Sequence, residues 1–173
     1  MSALAGLFFA CSGLLGVAGV FKLLRPSTTQ ATLLAVGLPG SRRLVQAVGG
    51  AELAIGAGAL LGVRGSAVLV MAAYLSLAGF VGLAMRRGLN LASCGCFGRA
   101  DAPPTVLHLA VNLGAAVVAG MAAFASLPGL MAVLGEQPAG GFPLLLLIGL
   151  TTYLLYLALT ALPTARAAIR LTS

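Results

Sequence analysis

Charged residues are scarce in this sequence. Its 173 residues include 3 acidic residues, 10 Lys or Arg residues and a single histidine, so that 8% of the chain is charged. A soluble domain has about 25% charged residues. Hydrophobic residues make up 60% of the chain, and the mean hydropathy is +1.10. Too few charges are present to cover a soluble globule, which excludes a soluble enzyme, a nucleic-acid-binding protein and a disordered tail. The composition predicts an integral membrane protein.

Long apolar runs supply the membrane-spanning segments. A bilayer core of about 30 Å requires about 20 helical residues. The runs are continuously apolar rather than alternating, which favours helices over a β-barrel. We predict one all-α transmembrane domain over residues 1–173, with neither an internal repeat nor a second domain. No Lys or Arg precedes the first run, so we interpret it as a spanning helix rather than a signal peptide. The spans are predicted at about 3–24, 44–63, 67–84, 105–127 and 142–162.

The cations are distributed unevenly between the two ends of these spans. Arg64 is alone on one side, and the other side carries the remaining nine: Lys22, Arg25, Arg42, Arg43, Arg86, Arg87, Arg99, Arg166 and Arg170. A polybasic lipid-binding patch would instead cluster about 4–8 cations. The positive-inside rule predicts an N-terminus outside a bacterial plasma (inner) membrane, with the third connection and the C-terminus in the cytoplasm.

Two connections carry local signals for helix ends. Residues Ser27–Leu38 are long enough for a short interfacial helix, which the sequence Gly37-Leu38-Pro39-Gly40 would end. The fourth spanning helix is predicted to begin at Ala102-Pro103-Pro104 with Asp101 as its N-cap, because proline is tolerated in a first helical turn.

Two of the three cysteines form a Cys94-Gly95-Cys96 motif between the third and fourth spans. Glycine relaxes the backbone between the two sulfurs. A disulfide across this motif would close a small, strained ring, and strained disulfides tend to be labile or catalytic. As a structural staple it would stabilise little, because it closes almost no loop. A redox-active dithiol is therefore favoured over two alternatives: incidental free thiols, and a Cu(I) or Zn(II) site with His108 as third ligand. A closed zinc site normally has four ligands, so we assign no metal.

His108, the single histidine, lies near the start of the fourth span, with Asn112 four residues later on the same helical face. A histidine near a cysteine pair can lower the pKa of the attacking thiol or carry its proton. The alternative is a histidine that forms a hydrogen bond inside the bundle or reaches the membrane interface.

Glu52 lies within the second span, where a carboxylate indicates a functional residue by default. We expect Glu52, His108 and Asn112 to form one polar cluster beneath the Cys94–Cys96 loop. The alternative is a neutral Glu52 that forms hydrogen bonds with neighbouring helices. Lys22 and Arg25 are expected to anchor the end of the first helix, with a Lys22–Glu52 pair as the alternative.

Cys11 lies in the middle of the first span. Buried cysteine commonly behaves as a small hydrophobic residue, so inert packing is favoured over a role as a relay thiol. Tyr74, Tyr153 and Tyr156 are expected to be packing or interface residues.

Several of these motifs, in this order, resemble the MauE branch of the MauE/DoxX-like family of multi-pass membrane proteins. The resemblance covers about residues 3–127. It is carried by Phe21-Lys22-Leu23-Leu24-Arg25-Pro26, Gly37-Leu38-Pro39, Glu52-Leu53 with Gly56, Ser93-Cys94-Gly95-Cys96-Phe97-Gly98, His108 and Asn112. It implies a four-helix DoxX-like core, followed here by a fifth C-terminal transmembrane helix. It also implies redox maturation of exported proteins, such as the methylamine dehydrogenase small subunit.

The resemblance implies roles for the candidate residues as well. Cys94 and Cys96 would be the redox pair of a thiol–disulfide oxidoreductase, with Glu52, His108 and Asn112 as supporting polar residues. The implied partner is a thioredoxin-like protein or an exported disulfide-containing client, within a lipid bilayer and without nucleic acid.

An exported client lies on the opposite side of the membrane from the predicted position of the cysteine loop. Electrons could cross through a rearrangement or through Cys11, or a quinone in the bilayer could exchange them. No other cofactor is predicted. The alternative functions are a metal- or quinone-binding transport module with cysteine ligands, and an assembly scaffold.

Overall fold

Helices form all of the regular secondary structure in the described part of the chain. The computed structural model describes residues 2–88, 94, 97 and 103–172, with the backbone alone at residues 2 and 164–172. The elements are α1 (Ser2–Leu24), α2 (Pro26–Ala35), α3 (Arg42–Leu61), α4 (Ser66–Arg86), α5 (Val106–Phe124), α6 (Leu130–Gly135), a 3₁₀ helix (Pro138–Gly141) and α7 (Phe142–Thr172). The all-α prediction is confirmed.

Five helical segments of the described residues are long and apolar enough to cross a membrane. They are Ala3–Leu24, Arg42–Leu61, Ser66–Arg86, Val106–Phe124 and Pro138–Pro163. Each coincides with one of the five predicted spans, which confirms the predicted class of an integral membrane helical bundle.

Helix α1 lies at the centre of the bundle. It packs most extensively on α3 and also contacts α5 and α7, while α4 joins α3 to α5. Of the five spans, α1 has the largest buried fraction. The polar side chains of Ser12 and Lys22 on α1 are buried within the protein.

Glycines allow the backbones of α1 and α3 to touch. A Cβ atom added to Gly49 would lie 2.8 Å from both the carbonyl oxygen of Gly19 and the Cβ atom of Lys22. One added to Gly56 would lie 2.6 Å from the carbonyl oxygen of Ser12. Small residues permit such close approach between membrane helices. The approach places the last turn of α1 beside the middle of α3.

The predicted short helix in the first connection exists, and it follows α1 almost directly. It begins at Pro26, because proline suits a first helical position, and it ends before Gly37, whose φ of 81° favours glycine. The guanidinium of Arg87 donates a hydrogen bond to the carbonyl oxygen of Val36 at 2.6 Å. This bond ties the end of α2 to the end of α4.

The predicted start of the fourth spanning helix was wrong. Helix α5 begins at Val106, with Thr105 at the N-cap position in an extended conformation, and Pro103 and Pro104 precede the helix. A residue followed by proline avoids the helical region, which keeps Pro103 out of the first turn. Asp101, the predicted N-cap, lies outside the described residues.

The C-terminal region differs from the prediction in two ways. A short helix, α6, lies in the last connection, and α7 runs past the predicted end at residue 162, through Pro163, to Thr172. These elements follow the four-helix core formed by α1, α3, α4 and α5.

Candidate functional site

A buried ion pair joins α1 to α3. The Nζ atom of Lys22 lies 2.7 Å and 3.0 Å from the two carboxylate oxygens of Glu52. The two side chains are only 3% and 7% exposed. The structure therefore shows the Lys22–Glu52 pair, the alternative raised by the sequence, rather than an end anchor at Lys22. Arg25 is exposed directly after α1.

The ion pair lines a cavity of about 370 Å³ between α2, α3 and α4. This volume lies within the range of ligand pockets, about 300–1,000 Å³. Most of the lining is apolar, and the polar side chains among it are few. The lining residues are Lys22, Thr29, Thr32, Leu33, Val45, Val48, Ala51, Glu52, Ile55, Ala73, Ser76, Leu77, Phe80 and Cys94. We call this space the α3–α4 cavity.

Cys94 is buried at the α3–α4 cavity. The residue is 1% exposed, and it belongs to a cluster with Leu14, Ala18, Phe97 and other apolar residues. Cys94 and Glu52 therefore line the same cavity. Cys96, the other predicted redox cysteine, lies outside the described residues.

Phe97, three residues after Cys94, packs against an aromatic ring of α7. Its ring meets that of Tyr156 edge-on, at 5.4 Å between centroids and 90° between planes. Tyr156 in turn stacks on Phe21 at 6.1 Å and 7°. The three rings connect the loop to α7 and α1, which is the packing role expected for Tyr156.

His108 and Asn112 are buried at the start of α5. The Nδ1 atom of His108 forms a hydrogen bond with the Thr105 hydroxyl at 2.9 Å, and the Asn112 amide donates to the His108 carbonyl oxygen at 2.8 Å. Both residues line a narrow space of about 20 Å³ with Phe97 and Leu77. A space of this size can hold about one water molecule.

The structure arranges the predicted polar residues around two neighbouring spaces rather than one. Glu52 and Cys94 line the α3–α4 cavity, His108 and Asn112 line the narrow space, and Leu77 lines both. Depth along the helix axis suggested a single cluster, but the faces of α3 and α5 that carry these residues point into different spaces.

Cys11 packs in a different apolar cluster from Cys94. It is 6% exposed, lies among residues such as Phe8 and Ala115, and its carbonyl oxygen accepts a 2.7 Å hydrogen bond from the Tyr74 hydroxyl. Inert packing of Cys11 stays the favoured prediction, with a relay role as its alternative.

Sequence reasoning did not identify Thr29 and Thr32 as site residues. Both are buried on α2, and both line the α3–α4 cavity. Their spacing of three residues on a short helix is a signal for one buried polar face. Within residues 2–88, 94, 97 and 103–172, no group of three or more His, Cys, Asp or Glu side chains could hold a metal ion.

Comparison with known proteins identifies the family. Neither a curated protein nor a solved structure matches the chain. A family model described as "Methylamine utilisation protein MauE" matches residues 1–128, which include α1 to α5 and the residues of both spaces except Leu159. The resemblance inferred from the sequence motifs is thereby confirmed. The chain belongs to the MauE family, as a multi-pass membrane protein of methylamine utilisation.

Proposed function

We propose that this protein is a membrane thiol–disulfide redox protein with Cys94 and Cys96 as its redox pair. It exchanges electrons with a thioredoxin-like protein or an exported disulfide-containing client, and so supports maturation of exported proteins. The observation that carries the proposal is the position of Cys94, buried at a cavity that also contains the Lys22–Glu52 pair. Burial of an ion pair within a membrane span is costly and usually serves a function.

Burial of Cys94 assigns the two thiols different steps. A disulfide of a partner protein cannot reach a side chain that is 1% exposed, so Cys96 makes the attack. The Cys96 thiolate forms a bond with one partner sulfur, and the partner disulfide breaks to leave a partner thiol. Cys94 then attacks Cys96, releasing the second partner thiol and forming the Cys94–Cys96 disulfide. Two electrons pass to the partner, and the same steps in reverse oxidise a partner dithiol.

His108 and Asn112 act as supporting residues in this proposal. Their hydrogen bonds hold the first turn of α5, which follows the cysteine loop in the chain. Phe97 lines the same narrow space as His108, and in this proposal the imidazole of His108 assists proton transfer.

Trapping of a mixed disulfide tests the proposal. Reduced protein in lipid nanodiscs is incubated with a thioredoxin variant that keeps one active-site cysteine, which is activated as a mixed disulfide with thionitrobenzoate. Attack by Cys96 releases thionitrobenzoate, and the adducts are resolved on non-reducing gels. Cys94→Ser should accumulate an adduct through Cys96, because the resolving thiol is absent. Cys96→Ser should form much less adduct, because Cys94 is buried.

Two controls make this test decisive. Cys11→Ala should exchange disulfides like the unmodified protein, and Cys94→Ser/Cys96→Ser should form no adduct. An adduct that survives in this double variant, or the absence of an adduct in both single variants, would contradict the proposed pair. Unimpaired growth on methylamine with the double variant would favour the scaffold instead.

A further inference from the structure

The α3–α4 cavity opens towards lipid. Three residues of its lining, Val48, Ala51 and Ser76, are exposed on the surface of the bundle. All three belong to candidate membrane spans. A ligand can therefore enter the cavity from within the bilayer, which requires a lipid-soluble molecule.

The interior of the cavity suits a neutral head group with hydrogen-bonding atoms. Lys22 and Glu52 compensate each other's charge at 2.7 Å, so the lining carries no net charge to attract a phosphate. Thr29, Thr32 and Ser76 add hydroxyl groups to otherwise apolar walls. Ligand pockets of this kind combine an apolar lining with a few polar groups that orient the ligand.

Cys94 gives the cavity a group that can exchange electrons. In the proposed function, oxidation of the Cys94–Cys96 dithiol releases two electrons and two protons. A neutral, lipid-soluble molecule that accepts both is a quinone, whose two carbonyl oxygens become hydroxyl groups.

We propose that the α3–α4 cavity binds the ring of a membrane quinone, which accepts electrons from the cysteine pair. The cavity is defined by described residues, and the electron step rests on the proposed function. Two S–H bonds break and one S–S bond forms, while the quinone gains two electrons and two protons to become a hydroquinone. Lys22 and Glu52 act as positioning residues for the ring.

A matched pair of alanine substitutions tests the binding site. Ala51 lines the cavity, and Ala54 is an exposed residue of the same helix outside its lining. Binding of decylubiquinone to protein in phospholipid nanodiscs is measured by calorimetry, with empty nanodiscs as background and decanol as a tail-only ligand. Ala51→Phe should weaken decylubiquinone binding by about tenfold or more, since it fills the cavity, whereas Ala54→Phe should bind like the unmodified protein.

Binding and electron transfer are measured separately. Cys96→Ser, which keeps Cys94 in the lining, should still bind decylubiquinone, while only the protein with both thiols should reduce it, as followed by ultraviolet absorbance. Absence of binding, equal binding of decanol, or equal binding by both phenylalanine variants would overturn the quinone site. Binding that depends on Ala51 without reduction by the dithiol protein would overturn the electron step. Disulfide exchange with thioredoxin, measured independently, would show whether the proposed function fails as well.

Discussion

At the residue scale, the Lys22–Glu52 pair is a feature whose burial costs free energy. Both side chains are almost completely withdrawn from solvent, and both carboxylate oxygens lie within 3.0 Å of the lysine nitrogen. The cost of removing two charges from water is offset only while both partners are present. The two positions also differ in depth, because Lys22 is in the last turn of α1 and Glu52 is near the middle of α3.

Loss of one partner should therefore destabilise the protein more than loss of both. Lys22→Met leaves the carboxylate unpaired and should lower the free energy of unfolding by about 3–5 kcal/mol. Glu52→Leu should cost less, since a lysine near a helix end can extend its ammonium to the membrane surface. Lys22→Met/Glu52→Leu should recover most of the stability, as measured by reversible unfolding in mixed detergent micelles. A double variant as unstable as Lys22→Met would show that the unpaired charge is not the cause.

At the element scale, contact between α1 and α3 determines the site geometry. The backbone approach at Gly19, Gly49 and Gly56 brings Lys22 within reach of Glu52. Gly50 is adjacent to Gly49 in sequence, but a Cβ atom added there would meet nothing within 4 Å. The two glycines therefore provide a comparison in which the helix and the substitution are the same.

Gly49→Ala should lower the free energy of unfolding, whereas Gly50→Ala should not. The new methyl group of Gly49→Ala meets backbone atoms of α1, and such overpacking costs about 1–3 kcal/mol. Gly50→Ala has open space and should be neutral or stabilising by up to about 1 kcal/mol, because alanine favours helix over glycine. The same unfolding measurement compares them. Equal stability of both variants would mean that α1 and α3 do not pack closely at Gly49.

The spans could be predicted from the sequence because the bilayer acts as a uniform solvent that selects apolar segments of fixed length. The arrangement of the polar residues could not. Depth along a helix can be counted from its ends, but the partner of a side chain depends on the direction it faces. Glu52 and Asn112 were expected to meet on depth alone, but Glu52 pairs with Lys22 where α1 and α3 come close together. The position of α2 over the α3–α4 cavity, with Thr29 and Thr32, likewise depends on packing.

At the scale of the whole molecule, the ion pair changes the charge count without changing the predicted orientation. Lys22 is compensated by Glu52, which leaves eight cations in the first and third connections and the C-terminal region against Arg64 on the other side. The positive-inside rule still predicts a cytoplasmic cysteine loop.

Labelling of a single cysteine tests this orientation. Cys11→Ala/Cys94→Ser leaves Cys96 as the one thiol, which should react with a membrane-impermeant maleimide in inverted vesicles and resist it in intact spheroplasts. Arg64→Cys, introduced into a variant without the three native cysteines, should show the reverse pattern. Reaction of Cys96 in intact spheroplasts would contradict the orientation and would place the redox pair on the side of an exported client.

The ion pair also has a consequence for biogenesis. A charged residue in the middle of an isolated helix raises the cost of membrane insertion by about 2.5–3.5 kcal/mol. Glu52 lies at such a position in α3, and its partner belongs to α1, which is synthesised thirty residues earlier. Helix α3 can therefore enter lipid at lower cost if α1 is still beside the insertion machinery when α3 emerges. The fold thus favours release of α1 and α3 together from the insertion machinery into lipid, so that Lys22 can pair with Glu52 as α3 enters the membrane.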